Sequence, residues 1–164
     1  NACGAFTDSS TSGTAQSNKA TPSVFNTGAT TLSGAAGTDS ISANFAVGDT
    51  ITVNGSNVIT FVASGAVGNN QVNVGDNITT LLGKIDALSG ATAGGFTSTI
   101  TSGAITLHSG IASNLSVTSS NTSAFAALGF TGTATATRGG GGTAGTGQVI
   151  GNDNSSFLNE SVAG

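Results

Sequence analysis

The sequence predicts a small β-rich α+β domain in which two β-hairpins, one amphipathic helix and one short helix enclose a single core. Three observations support this prediction: apolar and polar residues alternate around an Asn-Gly turn, an apolar stripe follows at helical spacing, and both flanks are rich in Gly, Ser and Thr. They divide the chain into an extended N-terminal segment (1–40), a compact α+β domain (41–130), and a Gly-rich tether with strands that lead to a next domain (131–164).

The first hairpin is predicted at residues 50–62. Ile51 and Val53 alternate with threonines, as in a half-buried strand. An Asn-Gly-Ser-Asn segment follows, and its residues tolerate the positive φ angles of a tight turn. Ile59 and Phe61 then share one face of the returning strand. The other predicted strands are a strand or wide loop at 41–47, a short strand at 71–74, a second hairpin of strands 96–100 and 104–108, and a strand containing Leu115 and Val117.

A helix is predicted at residues 78–88, where the apolar positions 78, 81, 82, 85 and 88 form one stripe. Asp76 or Asn77 suits its N-cap, and Gly90 suits the left-handed position that ends it. Gly83 weakens the helix by about 1 kcal/mol relative to alanine.

A second, short helix is predicted at 122–128, with Ser120 or Asn121 as its N-cap and Gly129 at its end. The predicted core combines apolar residues from these strands and helices. It consists of Ile51, Val53, Ile59, Phe61, Leu81, Leu82, Ile85, Leu107, Leu115, Val117 and Phe125.

The flanks have few large apolar side chains. Residues 1–40 are read as extended chain, with a short strand at 23–26 that docks onto the domain, or as a flexible linker; the sequence leaves both open. The glycine run at 139–142 favours a tether. It lacks the Lys-Ser/Thr that follows the glycines of a phosphate loop.

Composition and charge exclude several classes of function. Charged residues are 6% of the chain, the net charge is −4, and the cations Lys19, Lys84 and Arg138 are scattered. Binding to nucleic acid requires a clustered basic face, so this class is excluded. The sequence has no apolar run of about 18 residues, so no membrane insertion is predicted.

The sequence gives no constellation for catalysis, a cofactor or a metal, and a non-enzymatic protein is predicted. His108, the one histidine, lies at a strand end, and no GxSxG-type turn accompanies it. Asp49 and Asp76 each follow a Val-Gly pair, where turn and cap roles are expected. A calcium site is the alternative for the carboxylates, but they are dispersed without EF-hand spacing. Cys3 has no internal partner, although it could crosslink two molecules. The carboxylates considered are Asp39, Asp49, Asp76, Asp86, Asp153 and Glu160. Asn-x-Ser/Thr triplets begin at Asn54, Asn77, Asn114, Asn121, Asn154 and Asn159, and the sequence does not decide whether any carries a glycan.

About half of the chain resembles a known family. The segments GDTITVNGSNVITF, ITTLLGKIDALSG, GAITLHSG and FAALGF are similar to the inserted outer domains of bacterial flagellar axial proteins, the hook protein and flagellin. The final SSFLNESVAG is similar to the start of the next segment in hook proteins of alphaproteobacteria, which favours hook over filament.

The resemblance implies an extracellular structural subunit that contacts copies of itself and other flagellar axial proteins in a helical tube that transmits torque for motility. It implies no cofactor and no catalytic residue. A flagellin outer domain of the filament is the first alternative. A surface adhesin or surface-layer binding module is the second, from a different class of function.

Overall fold

The computed structural model describes residues 4–141, and in this range it contains ten short strands and two helices. The chain is a small β-rich α+β domain with three sheets of mostly antiparallel strands, as predicted. In chain order the elements are β1 (Phe6–Thr7), β2 (Ser10–Ser12), β3 (Thr50–Val53), β4 (Asn57–Val62), β5 (Gln71–Asn73), α1 (Ile78–Ser89), β6 (Thr99–Thr101), β7 (Ala104–His108), β8 (Leu115–Ser119), α2 (Thr122–Ala127), β9 (Ala134–Ala136) and β10 (Gly139–Gly140).

The largest sheet has five strands in the order β5-β4-β3-β8-β9. Its centre is the predicted first hairpin, β3–β4, in which Ile51 pairs with Ile59 and both side chains are fully buried. Asn54 and Gly55 both take positive φ in the turn, as their residue types favour. The Asn54 N–H also donates to the Ser116 carbonyl at 2.7 Å, so the turn is fastened to β8.

Both helices lie where the apolar spacing predicts them and begin at predicted caps. The Thr80 N–H donates to the Asn77 side chain at the start of α1, and Gly90 closes this helix with φ 87°. At α2, the Ala124 N–H donates to the Asn121 side chain. The apolar stripe of α1 faces the core.

The core contains all eleven apolar residues predicted for it. Phe45 stacks on Phe61 with ring centroids 4.2 Å apart, which joins the loop before β3 to the central hairpin. Of the two structures predicted for segment 41–47, the loop is present and the strand is not, although Ile41 makes an isolated bridge to Asn18.

The N-terminal segment is part of the same body within its described residues, 4–40. β2 extends the second predicted hairpin, β6–β7, into a three-stranded sheet with the order β2-β7-β6. Leu32 is fully buried in the core with the residues of the hairpin and α1. The predicted strand at 23–26 is a single bridge between Ser17 and Phe25. This segment needs no core of its own because its buried Leu32 belongs to the main one.

The prediction that a tether begins at residue 131 is wrong for residues 131–141. β9 pairs antiparallel with β8 and buries Ala134 and Ala136, so it forms one edge of the five-stranded sheet. β10 pairs with β1, although it consists of two glycines. Backbone hydrogen bonds make these pairs, and sequence composition gives little sign of them. The strands predicted at 148–150 and near the C-terminus lie outside the described residues.

Candidate functional site

Among residues 4–141, an ion pair lies at the end of β7, where His108 meets Asp8. His108 Nδ1 and Asp8 Oδ2 are 2.5 Å apart, and the Gly110 N–H donates to Asp8 Oδ1 at 2.7 Å. Both side chains are mostly covered, with relative exposures of 26% for His108 and 15% for Asp8. One carboxylate therefore holds both the imidazole and the backbone just after the strand.

The same contact closes the N-terminal segment onto the domain. Next to Asp8, the Ser9 N–H donates to Ser109 Oγ at 3.0 Å. The Ser109 N–H in turn donates to the Ser9 carbonyl at 2.8 Å. Because β2 starts at Ser10, these bonds set the register of β2 on β7. These contacts of Asp8 and Ser9 with residues 108–110 form a structural latch that holds β2 against β7.

An Asp–His pair also supplies two of the three members of a hydrolytic triad, and the third member is a nucleophile. Catalysis would need a hydroxyl or thiol in hydrogen-bond contact with His108 Nε2. Within residues 4–141, Nε2 makes no hydrogen bond. The ring instead lies near Phe96, with centroids 6.2 Å apart and planes inclined by 19°. This geometry orients the imidazole but supplies no nucleophile.

Sequence reasoning missed Asp8. The residue precedes its partner His108 by 100 positions and has no motif around it. Only the pairing of β2 with β7 brings the two together, so no local signal could have found the pair.

A second carboxylate, Asp86 of α1, is buried against the chain just before β6. Ser98 donates twice to it, from N–H to Oδ2 at 2.7 Å and from Oγ to Oδ1 at 2.6 Å. The His108 N–H donates to Ser98 Oγ at 3.1 Å, which links the two acidic sites through one hydroxyl. Asp86 is 2% exposed, and its burial raises the pKa of the carboxyl above 3.8 against the opposing effects of the Ser98 hydrogen bonds and of His108.

Asp86 also forms part of the wall of a half-open groove between α1 and β6, with a volume of about 190 Å³. His108 does not line this groove. The lining is mainly apolar, with threonine hydroxyls around it. Its residues are Thr79, Leu82, Gly83, Asp86, Thr97, Ser98, Thr99 and Ile100.

The other described carboxylates considered from the sequence accept hydrogen bonds within the body, and two of them, Asp49 and Asp76, fix local turns. Asp49 Oδ2 accepts from the Ala46 N–H at 2.8 Å, and Asp76 Oδ2 accepts from the Asn73 N–H at 2.9 Å. Asp39 Oδ1 accepts from the side chains of Asn18 and Thr30. No three His, Cys, Asp or Glu side chains among residues 4–141 form a group that could hold a metal ion. Three predicted candidates, Cys3, Asp153 and Glu160, lie outside the described residues.

Four asparagines of the Asn-x-Ser/Thr triplets have structural partners. Asn54 holds the hairpin turn to β8, and Asn77 and Asn121 cap the helices. Asn114 Oδ1 accepts from the Arg138 N–H at 3.0 Å. The triplets at Asn154 and Asn159 lie outside the described part.

The three cations remain separate in the fold, and each donates to a nearby carbonyl. Lys19 Nζ donates to the Gly34 carbonyl, Lys84 Nζ to the Gly68 carbonyl and Arg138 Nη1 to the Ile111 carbonyl. No helix in the described chain is long and apolar enough to cross a membrane.

No protein-family model, curated protein or solved structure matches this chain.

Proposed function

We propose that this chain is the surface domain of a structural subunit in a helical polymer, the hook of a bacterial flagellum. The segments around the first hairpin and α1 that resemble flagellar axial proteins suggest the family. The main structural support is the way in which the two ends of the described body meet.

The chain enters and leaves the body through two paired strands. Phe6 pairs with Gly140, and the Gly141 N–H donates to the Ala5 carbonyl at 3.2 Å. The Arg138 guanidinium lies 3.3 Å from the centroid of the Phe6 ring and adds a cation–π contact to this ribbon. A body attached through adjacent antiparallel strands can project from a larger subunit without separating the segments on either side of it.

The surface suits repeated contacts between neighbouring subunits. Few of its side chains are charged, and the described cations bond to carbonyls of their own body. Hydroxyl and amide groups exchange hydrogen bonds with water and with a neighbour at little cost. Such contacts let neighbouring outer domains slide while a curved tube rotates.

Antibodies raised against residues 4–141 test the assignment by electron microscopy of cells that carry this protein. Gold label confined to the short curved segment at the cell surface is expected for a hook domain. Label along the filament would identify the flagellin alternative. Label spread over the cell envelope would identify an adhesin or surface-layer module.

Deletion of residues 8–138 tests the mechanical role. Thr7 and Gly139 are antiparallel partners, so their Cα atoms are about 5 Å apart and a direct join disturbs the flanking chain little. We expect polymers that still form but have altered curvature and impaired swimming. Wild-type curvature and swimming in this variant would refute a role for this domain in transmitting torque.

A further inference from the structure

The α1–β6 groove has the size and surface of a site for an aliphatic side chain. Its volume of about 190 Å³ exceeds that of several water molecules, each of which takes about 30 Å³ in the liquid. Its one ionisable residue, Asp86, is 2% exposed and already accepts two hydrogen bonds from Ser98. An uncharged occupant would therefore leave no charge unpaired.

Gly83 opens this groove at the cost of helix stability. It lies inside α1, where glycine costs about 1 kcal/mol relative to alanine. Apart from its chain neighbours and the backbone of α1 itself, no atom lies within 4 Å of the position that a Cβ of residue 83 would take, so packing within the described chain does not require glycine here. The missing side chain leaves the helix surface accessible to something outside the molecule.

The opposite wall of the groove has free backbone groups. In β7, Ile105 and Ser109 form their backbone hydrogen bonds with the β2 side, through Gly13 and Ser9. The alternation of an antiparallel ladder then directs the backbone groups of Thr106 and His108 toward β6, where Thr106 faces Thr99. The N–H and C=O of Ile100 therefore point away from β7, and neither has a partner within residues 4–141.

A loop elsewhere on the same molecule presents an uncharged, apolar side chain to the solvent. Residues 64–68 are uncharged and small, and the side chain of Val67 is 69% exposed. Single exposed valines are common, but this one is held in place. The Val67 N–H donates to Gln71 Oε1, the Ala66 N–H donates to Asn73 Oδ1, and Lys84 Nζ donates to the Gly68 carbonyl.

The loop and the groove lie on opposite sides of α1. At 3.6 residues per turn, Lys84, which holds the loop, points roughly 150° away from the mean direction of the groove-lining helix residues. A contact between two different surfaces on opposite sides is heterologous, and it continues from copy to copy in an open polymer unless a ring closes.

We propose that Val67 of one copy inserts into the α1–β6 groove of a second copy, so that the outer domains join head to tail. The valine fills the apolar space beside Gly83, and the loop backbone reaches the free groups of Ile100. This inference rests on the proposed function, because a helical polymer requires such a repeating contact between copies.

Cysteine crosslinking tests the contact in a C3S background. Purified V67C chain is mixed with T99C chain, oxidised, and run on a non-reducing gel; Thr99 is an exposed residue of the groove wall. We expect a heterodimer from the mixture and a ladder of multimers from the double variant V67C/T99C. V47C replaces V67C in the control, because Val47 is a similarly exposed valine, at 62% against 69%. A V67C/T99C yield no greater than that of the V47C control overturns the proposal.

Closing the groove provides a second, independent test. The substitution G83Q places a side chain in the groove, and we expect it to reduce the V67C/T99C crosslink to background. G75Q is the matched control, because Gly75 also has open space around its Cβ position and does not line the groove. Far-UV circular dichroism establishes that both variants fold. If G83Q fails to fold, V67S on the exposed loop replaces it, and association of V67S measured by sedimentation must fall below that of V47S.

These outcomes separate the two proposals. Specific crosslinking together with gold label over the whole envelope retains the contact and removes the hook assignment. Gold label on the hook without specific crosslinking refutes the contact alone.

Discussion

Replacement of the buried Asp86 carboxylate by an amide is the most direct test of the energetics described above. Asp86 accepts from the Ser98 N–H at 2.7 Å and from the Ser98 hydroxyl at 2.6 Å. In D86N the amide oxygen can accept from the N–H, and the amide NH₂ can donate to the hydroxyl. The variant keeps both hydrogen bonds and removes a charge that burial disfavours.

The pH dependence follows from the direction of the pKa shift. Burial raises the pKa of Asp86 in the folded state above 3.8, so the folded protein holds this proton more tightly than the unfolded chain does. The resulting stabilisation is fully present below the unfolded pKa and is lost as pH rises through the folded pKa. We therefore expect the unfolding free energy of wild type, measured relative to D86N, to fall as pH rises from about 3 to about 7.

D86A supplies the contrast. Alanine leaves the N–H and the hydroxyl of Ser98 without their acceptor. Ser98 is only 5% exposed, so water cannot readily replace that acceptor. An unsatisfied buried donor costs about 1–3 kcal/mol, so we expect D86A to be less stable than D86N by about that amount.

Urea unfolding followed by far-UV circular dichroism measures all three proteins, because the chain has no Trp or Tyr for intrinsic fluorescence. A difference between wild type and D86N that stays constant with pH contradicts the desolvation argument. A difference that grows in favour of wild type as pH rises contradicts it as well.

The remaining predictions concern the latch, the N-terminal segment and a helix cap. D8A removes the acceptor of both His108 Nδ1 and the Gly110 N–H, so we expect the unfolding free energy to fall by about 1–3 kcal/mol and hydrogen exchange at the Gly110 amide to become faster. D8N can keep one acceptor and should lose less unfolding free energy. Equal losses in D8A and D8N would argue against the latch. L32A removes a fully buried side chain and should lower the unfolding free energy, measured by urea unfolding, by about 2–5 kcal/mol. A decrease below about 0.5 kcal/mol would show that residues 4–40 contribute little to the core. N121A removes the cap of α2 and should lower the unfolding free energy by about 0.5–2 kcal/mol. N121S is the control, because serine retains a cap acceptor but, like alanine, lacks the amide that donates to Asn44 and Asp49; an equal loss in both variants would argue against capping as the cause.

Local residue types account for the elements that sequence reasoning predicted correctly. The Asn54-Gly55 turn, the apolar stripe of α1 and the caps Asn77 and Asn121 all depend on residues only a few positions apart. Backbone conformation and side-chain spacing within one element are set at that range, so the sequence indicates them without knowledge of the rest of the fold.

Pairings between distant segments were missed for the complementary reason. β9 joins β8 through Thr135 and two alanines, and its composition resembles that of a loop. Leu32 fills the core from a segment with few other large apolar residues. In each case the partner determines the structure, and the partner is far away along the chain.

The candidate site shows this division most clearly. The sequence identifies His108 as the one histidine and places it at the end of a strand, but the Asp8 carboxylate beside it becomes visible only when β2 adds to β7.

The amino-acid sequence by itself determined the Asn54-Gly55 turn, helix α1 and the caps of both helices, because those features arise from steric and hydrogen-bonding effects within a few residues. Only the tertiary structure decided which edges pair, which carboxylates are buried, and that Val67 and the groove beside Gly83 face opposite ways. Those properties depend on how distant parts of the chain exclude water from one another, and this requires the packed molecule.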